Sequence, residues 1–227
     1  MREVADGVLE IPLGYVNAHL VVVDDGVVLV DTGLPGRSAK FQQALHEARR
    51  TVGDVHTILL THWHPDHTGS AAELKRLTGA RVVAHRVDAA AIAGPQPIMR
   101  GLMRVTQKLM KPPAPVVVDE LVSADGPLAV PGFRAVHTPG HTPGHVSFLL
   151  DRARGVLFAG DAAAGGPRGG VRSAPSIVTD DMTAARASLA RLAELEFDVA
   201  VFGHGRAIAG GAVARFRERV AKAQGNR

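Results

Sequence analysis

The sequence predicts an α/β fold in which two β-sheets pack face to face with helices on their outer sides. The first third of the chain contains a hairpin followed by alternating helical and apolar segments. The second half contains short apolar runs separated by Pro/Gly turns and closed by helices. Each half also has a strand-like run that ends in an aspartate, VVLVDTG and VLFAGDA. We expect a single domain over residues 1–227.

The first third begins with a hairpin, because HLVVVDDGVVLVDTG joins two β-branched runs at Asp24-Asp25-Gly26. SAKFQQALHEARRTVG has apolar residues at helical spacing from Phe41 to Val52 and stops at Gly53. VHTILLT is a short, almost wholly apolar run, which is typical of a strand buried on both faces.

A second helix and strand follow in the first half. Ser70 and Glu73 have the spacing of a capping box for SAAELKRLTG, and Gly79 ends that helix. RVVAH is predicted to be the next buried strand.

The second half is predicted to contain the strands VVVD, LAV, FRAVH, HVSFLLD and GVLFAGD. A helix over about 183–195, the strand DVAVFGHG and a basic C-terminal helix complete it.

Between the halves, residues 95–111 form a lid or connector helix in our interpretation. If this segment is helical, Ile98, Leu102, Val105 and Leu109 form one apolar stripe, and arginines and lysines fall on the other side. One interpretation is a connector that covers the core or a subunit interface, which allows a homodimer. The other is a lid whose methionines, including Met103, contact an apolar substrate.

The composition excludes several classes of function. The net charge is +4 and the pI about 9.9, but only 4% of residues are aromatic and the arginines are scattered. We therefore expect no nucleic-acid partner. There is no cysteine, which excludes disulfides, thiolate zinc sites and a cysteine nucleophile. The start is charged, and no apolar run approaches the roughly 18 residues of a membrane span, so we expect a cytoplasmic protein without a membrane partner.

The segment THWHPDHTGS carries three histidines and an aspartate in close succession. His62 and His64 alternate in an extended segment, because Pro65 biases its predecessor towards extended backbone, and both imidazoles can point to one side. Asp66 and His67 follow as the chain turns into a helix and face another direction. One loop could therefore serve two adjacent metal positions, and imidazole and carboxylate ligands favour borderline ions such as zinc.

Further ligand-type residues must complete such a site. HTPGHTPGHVSF offers three histidines, among them His141, and Asp161 and His204 each follow a predicted apolar strand. Strand ends along one sheet edge are common places for sites. Taken singly, each of these residues could equally be a hydrogen-bonded structural residue.

At this point the sequence resembles the metallo-β-lactamase fold superfamily, which includes glyoxalase II and the acyl-homoserine lactonases. The resemblance rests on VDTG, THWHPDH, TPGHTPGH, AGD and GHG, in that order over almost the whole chain. It implies a four-layer αββα sandwich. It also implies one metal at His62, His64 and His141, and a second at Asp66, His67 and His204, with Asp161 bridging them. Asp31 matches an aspartate that orients ligands, and His137 and His145 are weaker candidates for that role.

The resemblance implies two Zn²⁺ per chain, with Fe or Mn as alternatives. The expected chemistry is hydrolysis by a metal-bound hydroxide acting on a small ester, thioester or lactone, with Asp66 orienting the nucleophile or relaying its proton. A β-lactam hydrolase of the same fold and a mononuclear iron persulfide dioxygenase are the alternatives. GGPRGGVR is either a flexible surface loop or a rim where Arg168 or Arg172 binds an anionic substrate group.

Overall fold

The computed structural model describes residues 1–98, 107 and 112–225. Within them, the larger sheet has seven strands that lie side by side in chain order. Of the six pairs of neighbouring strands, the first three are antiparallel and the last three are parallel. The strands are β1 (Arg2–Ala5), β2 (Val8–Pro12), β3 (Asn17–Val23), β4 (Gly26–Val30), β5 (Val55–Leu59), β6 (Arg81–His85) and β7 (Glu120–Val122).

The second sheet has five strands in the described residues, in the order β14-β11-β10-β9-β8. β11 and β14 are parallel, and the other pairs are antiparallel. A separate hairpin of β12 and β13 lies beyond this sheet. The strands are β8 (Gly126–Pro127), β9 (Phe133–His137), β10 (Val146–Leu150), β11 (Val156–Phe158), β12 (Ala163–Gly165), β13 (Val171–Ser173) and β14 (Val199–Val201).

The structure describes six α-helices, five of which pack on the outer faces of the sheets. They are α1 (Ser38–Glu47), α2 (Pro65–Thr68), α3 (Ala71–Thr78), α4 (Ala89–Ala93), α5 (Met182–Leu192) and α6 (Ala212–Gly225). Buried residues of α1, α3 and α4 pack on the first sheet, and those of α5 and α6 pack on the second.

Successive side chains of a strand point to opposite faces of its sheet, so the buried apolar residues form three layers. In β4, Val27 and Leu29 face the helices, whereas Val28 and Val30 face the other sheet. In β11, Leu157 faces the helices and Phe158 the sheet interface. The architecture is therefore the predicted four-layer αββα sandwich.

The first half follows the sequence predictions with two exceptions. The hairpin forms as predicted, with Val23 opposite Gly26. Helix α1 ends at Glu47, earlier than predicted, and Val52–Asp54 form a separate 3-10 turn. Arg49 between them has a left-handed φ of 56°, which a helix cannot continue through.

The prediction of a capping box at the start of α3 is also wrong. The Ser70 hydroxyl makes no cap bond and instead donates to the Leu34 carbonyl and accepts from the Arg37 amide. It ties the loop after β4 to α3. Gly79 ends the helix in the left-handed region, as predicted.

In the second half, the prediction that VVVD and LAV form strands is wrong. Instead, β7 (Glu120–Val122) lies just after VVVD, and β8 (Gly126–Pro127) lies just before LAV. Their apolar residues pack as loops: Val116 against the first sheet's helices, and Val130 between the sheets. The helix predicted over 183–195 is present as α5.

Most of the segment 95–111, including Met103, lies outside the described residues, so the lid and connector interpretations both stay predictions. Among the helices that the structure describes, none is long and apolar enough to span a bilayer.

Candidate metal centre

Strand ends from both sheets meet at one edge of the sandwich. His62 and His64 follow β5, Asp161 follows β11 and His204 follows β14, whereas His141 lies on the loop between β9 and β10. Since β4 and β5 are parallel neighbours, as are β11 and β14, their carboxyl ends share this edge.

The structure brings all seven predicted ligands together in overlapping groups. In each group, the candidate ligand atoms lie within 4.8 Å of one another. The groups are His62, His64 and His141; Asp66, His67 and His204; and His62, His67 and Asp161.

Asp161 links the first two groups. Its Oδ2 lies 3.3 Å from Nε2 of His141, in one group, and 3.3 Å from Nε2 of His204, in the other. Its Oδ1 lies 3.4 Å from Nε2 of His67. One carboxylate is thus within reach of both candidate metal positions.

Asp31 contacts His67, one of the predicted ligands. Its Oδ2 lies 2.8 Å from Nδ1 of His67, so that ring nitrogen carries a proton and Nε2 is left to face the centre. Oδ1 accepts from the backbone amide of Thr61 at 2.8 Å. Asp31 itself has a left-handed φ of 59°, unusual for a residue with a side chain, which turns its carboxylate back under the loop.

Tyr15 orients His204, which the sequence did not predict. The Tyr15 carbonyl accepts from Nδ1 of His204 at 2.9 Å, which leaves Nε2 for the centre. The two rings stack with centroids 5.7 Å apart and planes 5° apart. The contact joins residues far apart in the chain, so no local motif reveals it.

Of the two weaker candidates, His145 holds Asp161 and His137 lies elsewhere. The Asp161 amide donates to Nε2 of His145 at 2.9 Å, and the opposite ring nitrogen donates to the Thr138 hydroxyl at 2.8 Å. The His137 ring stacks on His85 with centroids 4.1 Å apart, outside the ligand groups.

Asp88 is a second residue that the sequence did not reveal. Its buried carboxylate accepts from the amides of Trp63 and Gly144 and from the Thr142 hydroxyl, at 3.2, 2.8 and 2.7 Å. Burial raises the pKa of Asp88 despite these bonds. The Asp88 carboxylate thus holds the loop that carries His64 against the loop that carries His141.

Gly203 leaves room for the centre. A Cβ at this position would lie 2.4 Å from Oδ1 of Asp161 and 2.4 Å from Cε1 of His67. Both distances are below any normal contact, so the residue before His204 has to lack a side chain.

The side chains present fit divalent metal ions. Nε2 of His62, Nε2 of His67 and Oδ1 of Asp161 are among the described side-chain atoms that are buried and make no hydrogen bond, and the last two lie 3.4 Å apart without one. An unpartnered buried polar group costs on the order of 1–3 kcal/mol. Three such atoms at one point, all of metal-ligand type, are explained by a cation that they coordinate.

The electrostatics of the two groups differ. Burial and the neighbouring His141 lower the pKa of His64 to about 3, so its ring is neutral at pH 7. Burial also lowers the pKa of His204, but hydrogen bonds to Asp161 and Asp66 outweigh it and raise that pKa to about 10. Without a metal, the group of Asp66, His67 and His204 therefore holds protons. A cation that binds there has to displace them.

A cavity of about 460 Å³ opens onto the centre. Asp66, Asp161 and His204 lie on its inner side, and Tyr15 and Arg172 line its walls. The rest of the wall is largely apolar: Pro65, Ala163, Ala164, Ala174, Pro175 and Val178. Of the two predicted rim arginines, Arg172 thus lies at the cavity, whereas Arg168 is exposed and outside its wall.

Comparison with known sequences finds related proteins. A sequence model of the metallo-beta-lactamase superfamily matches residues 11–204. The probable metallo-hydrolase YqgX of Bacillus subtilis (strain 168) is 30% identical over 154 residues, which are 66% of this chain and 68% of YqgX. The thioesterase pkgB of Emericella nidulans is 31% identical over 195 residues, which are 85% of this chain. This chain spans only 46% of the length of pkgB.

The fold is shared with solved structures. The S60 mutant of a metallo-beta-lactamase of Cronobacter sakazakii with a HARLDQ motif superimposes with a TM-score of 0.77. The match covers 99% of this chain and 93% of that protein at 22% sequence identity. At that identity the likeness concerns the fold.

Proposed function

We propose, since this chain belongs to the metallo-beta-lactamase superfamily, that it is a binuclear zinc-dependent hydrolase of a small ester, thioester or lactone. Relatives named metallo-hydrolase and thioesterase support hydrolysis as its chemistry. Among the three substrate classes, the name of pkgB favours a thioester.

One observation carries the binuclear assignment: Oδ2 of Asp161 is 3.3 Å from a histidine of each group. On this proposal, His62, His64 and His141 hold one ion, Asp66, His67 and His204 hold the other, and Asp161 contacts both. Bound there, two zinc ions would lower the pKa of a water molecule and polarise the substrate carbonyl.

Asp66 is the proposed proton acceptor. Burial raises the pKa of its carboxyl, but His67 and His204 outweigh this and hold the pKa below its ordinary value. Asp66 is therefore a carboxylate at neutral pH. It lines the cavity, where it can accept a hydrogen bond from the attacking water and carry its proton towards the leaving group.

Tyr15 is the proposed hydrogen-bond donor to the substrate. Burial and the charges of Asp66 and Asp161 raise the pKa of its phenol to about 12, so the hydroxyl stays protonated. The tyrosine lines the cavity and stacks on His204. A phenol held there can donate to an oxygen on which negative charge develops during the reaction.

The test is a hydrolysis panel of acyl thioesters, lactones and β-lactams, run with metal analysis on the purified protein. We expect two zinc equivalents per chain and hydrolysis of a thioester or a lactone. His64→Ala is expected to abolish activity, because it removes a ligand. His46→Ala, which replaces an exposed histidine on α1, is the matched control and should retain it.

Two outcomes would replace the proposal by its alternatives. One iron per chain with consumption of oxygen would indicate a persulfide dioxygenase. Turnover confined to β-lactams would indicate a lactamase. Full activity of His64→Ala would contradict the assignment of the site itself.

A further inference from the structure

A second concave surface lies between α5 and α6, on the outside of the second sheet. This groove has a volume of about 810 Å³. Arg186 lines it from α5, and Arg219 and Lys222 line it from α6. Leu189 and Val220 supply apolar contacts along it. We call this surface the basic groove.

The basic groove carries uncompensated positive charge. No carboxylate is among the described residues that line it. In the described part of the chain, Arg186 has neither a hydrogen-bond partner nor an ion-pair partner. Lys222 pairs only with the exposed Glu218, at 2.7 Å, and exposed pairs of this kind are weak. A concave surface with unpaired cations attracts anions.

The basic groove adjoins the cavity at the metal centre. Ser173, the last residue of β13, lines both, and its neighbour Arg172 lines the cavity. The guanidinium of Arg219 donates to the Ser173 hydroxyl at 2.9 Å. An extended ligand can therefore pass from the metal centre over Arg172 and Ser173 into the basic groove while remaining near positive charge.

We propose that the basic groove binds the phosphate groups of a thioester whose thiol half is phosphorylated, while its acyl carbonyl lies at the metal centre. This inference rests on the proposed hydrolase function. Arginine suits the assignment because its planar donors match phosphate oxygens. In the reaction, water adds to the carbonyl carbon, the carbon–sulfur bond breaks, and a water proton passes to the sulfur, giving a carboxylic acid and a free phosphorylated thiol.

The kinetic test compares two thioesters of one acyl group, acyl-coenzyme A and the phosphate-free acyl-N-acetylcysteamine. In the double variant Arg186→Gln/Lys222→Gln, the ratio of kcat/KM for the first to that for the second is expected to fall at least tenfold. Arg215→Gln is the control, because Arg215 lies on α6 but outside the groove. An unchanged ratio in the double variant would overturn the proposal.

The same acyl group on a purified acyl carrier protein separates the two sources of the phosphorylated arm. A variant effect on acyl-coenzyme A indicates that the free thioester uses the groove. An effect on both substrates indicates that the tethered arm uses it as well, whereas an effect confined to the carrier protein leaves the acyl-coenzyme A ratio unchanged and overturns the proposal.

A binding measurement separates this inference from the proposed function. Desulfo-coenzyme A, which lacks the thiol, is titrated into the metal-loaded protein and its double variant. We expect Kd to rise at least tenfold in the variant and to rise with salt in the parent. Such binding without hydrolysis of either thioester would support the groove and contradict the thioesterase function. Thioester hydrolysis without variant-sensitive binding would overturn the groove alone.

Discussion

Replacing Asp31 by asparagine should selectively weaken the metal position that contains His67. Asn tolerates the left-handed backbone that Asp31 adopts, so the substitution adds little strain of its own. Its amide oxygen can keep the contact of Oδ1 with the Thr61 amide. The amide nitrogen then takes the place of Oδ2, 2.8 Å from Nδ1 of His67.

This exchange reverses the tautomer of His67. The new amide donates to Nδ1, so the ring proton moves to Nε2, the atom that faces Asp161 at 3.4 Å. A metal ion then has to displace that proton. Loss of such a partner typically weakens metal binding about 10–100-fold, which corresponds to about 1.4–2.8 kcal/mol.

Competition against a chromophoric zinc chelator measures this effect for each bound equivalent. We expect one of the two Kd values, that of the position containing His67, to rise at least tenfold in Asp31→Asn, with the equivalent held by His62, His64 and His141 changed less. Asp119→Asn removes a surface carboxylate paired with Lys75 and serves as the control. If Asp31→Asn binds both equivalents with parental affinity and is folded, the tautomer reasoning is refuted.

Three further predictions concern metal capacity, protons and acid stability. Gly203→Ala should lose bound metal, and its activity should fall at least a hundredfold, because the new Cβ would overlap the ligands. Gly210→Ala is the control and should show neither change, because the space around Gly210 is open. Metal analysis and kinetics of both variants measure these effects. Zinc binding to the metal-free protein at pH 7.5 should release protons, since the pKa of His204 is raised to about 10; binding enthalpies that do not vary with buffer ionisation enthalpy would contradict this. Burial lowers the pKa of His19 to about 3, so the unfolded state binds its proton first and stability should fall as pH drops from 6.5 towards 3. In urea titrations of the metal-free protein, His19→Leu should show a shallower loss over that range, and an equal loss would show that this histidine does not contribute.

The candidate ligands could be predicted because their chemistry is written in short segments. Ligand-type side chains in THWHPDH, or directly after apolar strands, have few structural uses at such density. The strands β4 to β6 were predictable for a similar reason, because sheets buried on both faces need continuous apolar runs.

The residues that hold the ligands in place were harder to predict. Asp88 contacts the amides of Trp63 and Gly144, 25 and 56 positions away, and Tyr15 meets His204 across 189 positions. Such contacts depend on how the two sheets stack, which local patterns do not encode. VVVD has the sequence pattern of a strand, although its Val116 packs against the core from a loop. The sequence pattern alone does not distinguish the two cases.

The distribution of ligands between the sheets also bears on how the protein resists unfolding. His62 to His67 follow the first sheet, whereas His141, Asp161 and His204 belong to the second. On the proposed assignment of two ions, each ion would therefore cross-link the two halves of the chain. Separation of the halves would then require release of the ions, and free zinc at 100 times its Kd would stabilise the folded state by about 2.7 kcal/mol. Resistance to proteases should accordingly follow zinc concentration, which makes the supply of metal a determinant of how long the protein survives as well as of how fast it reacts.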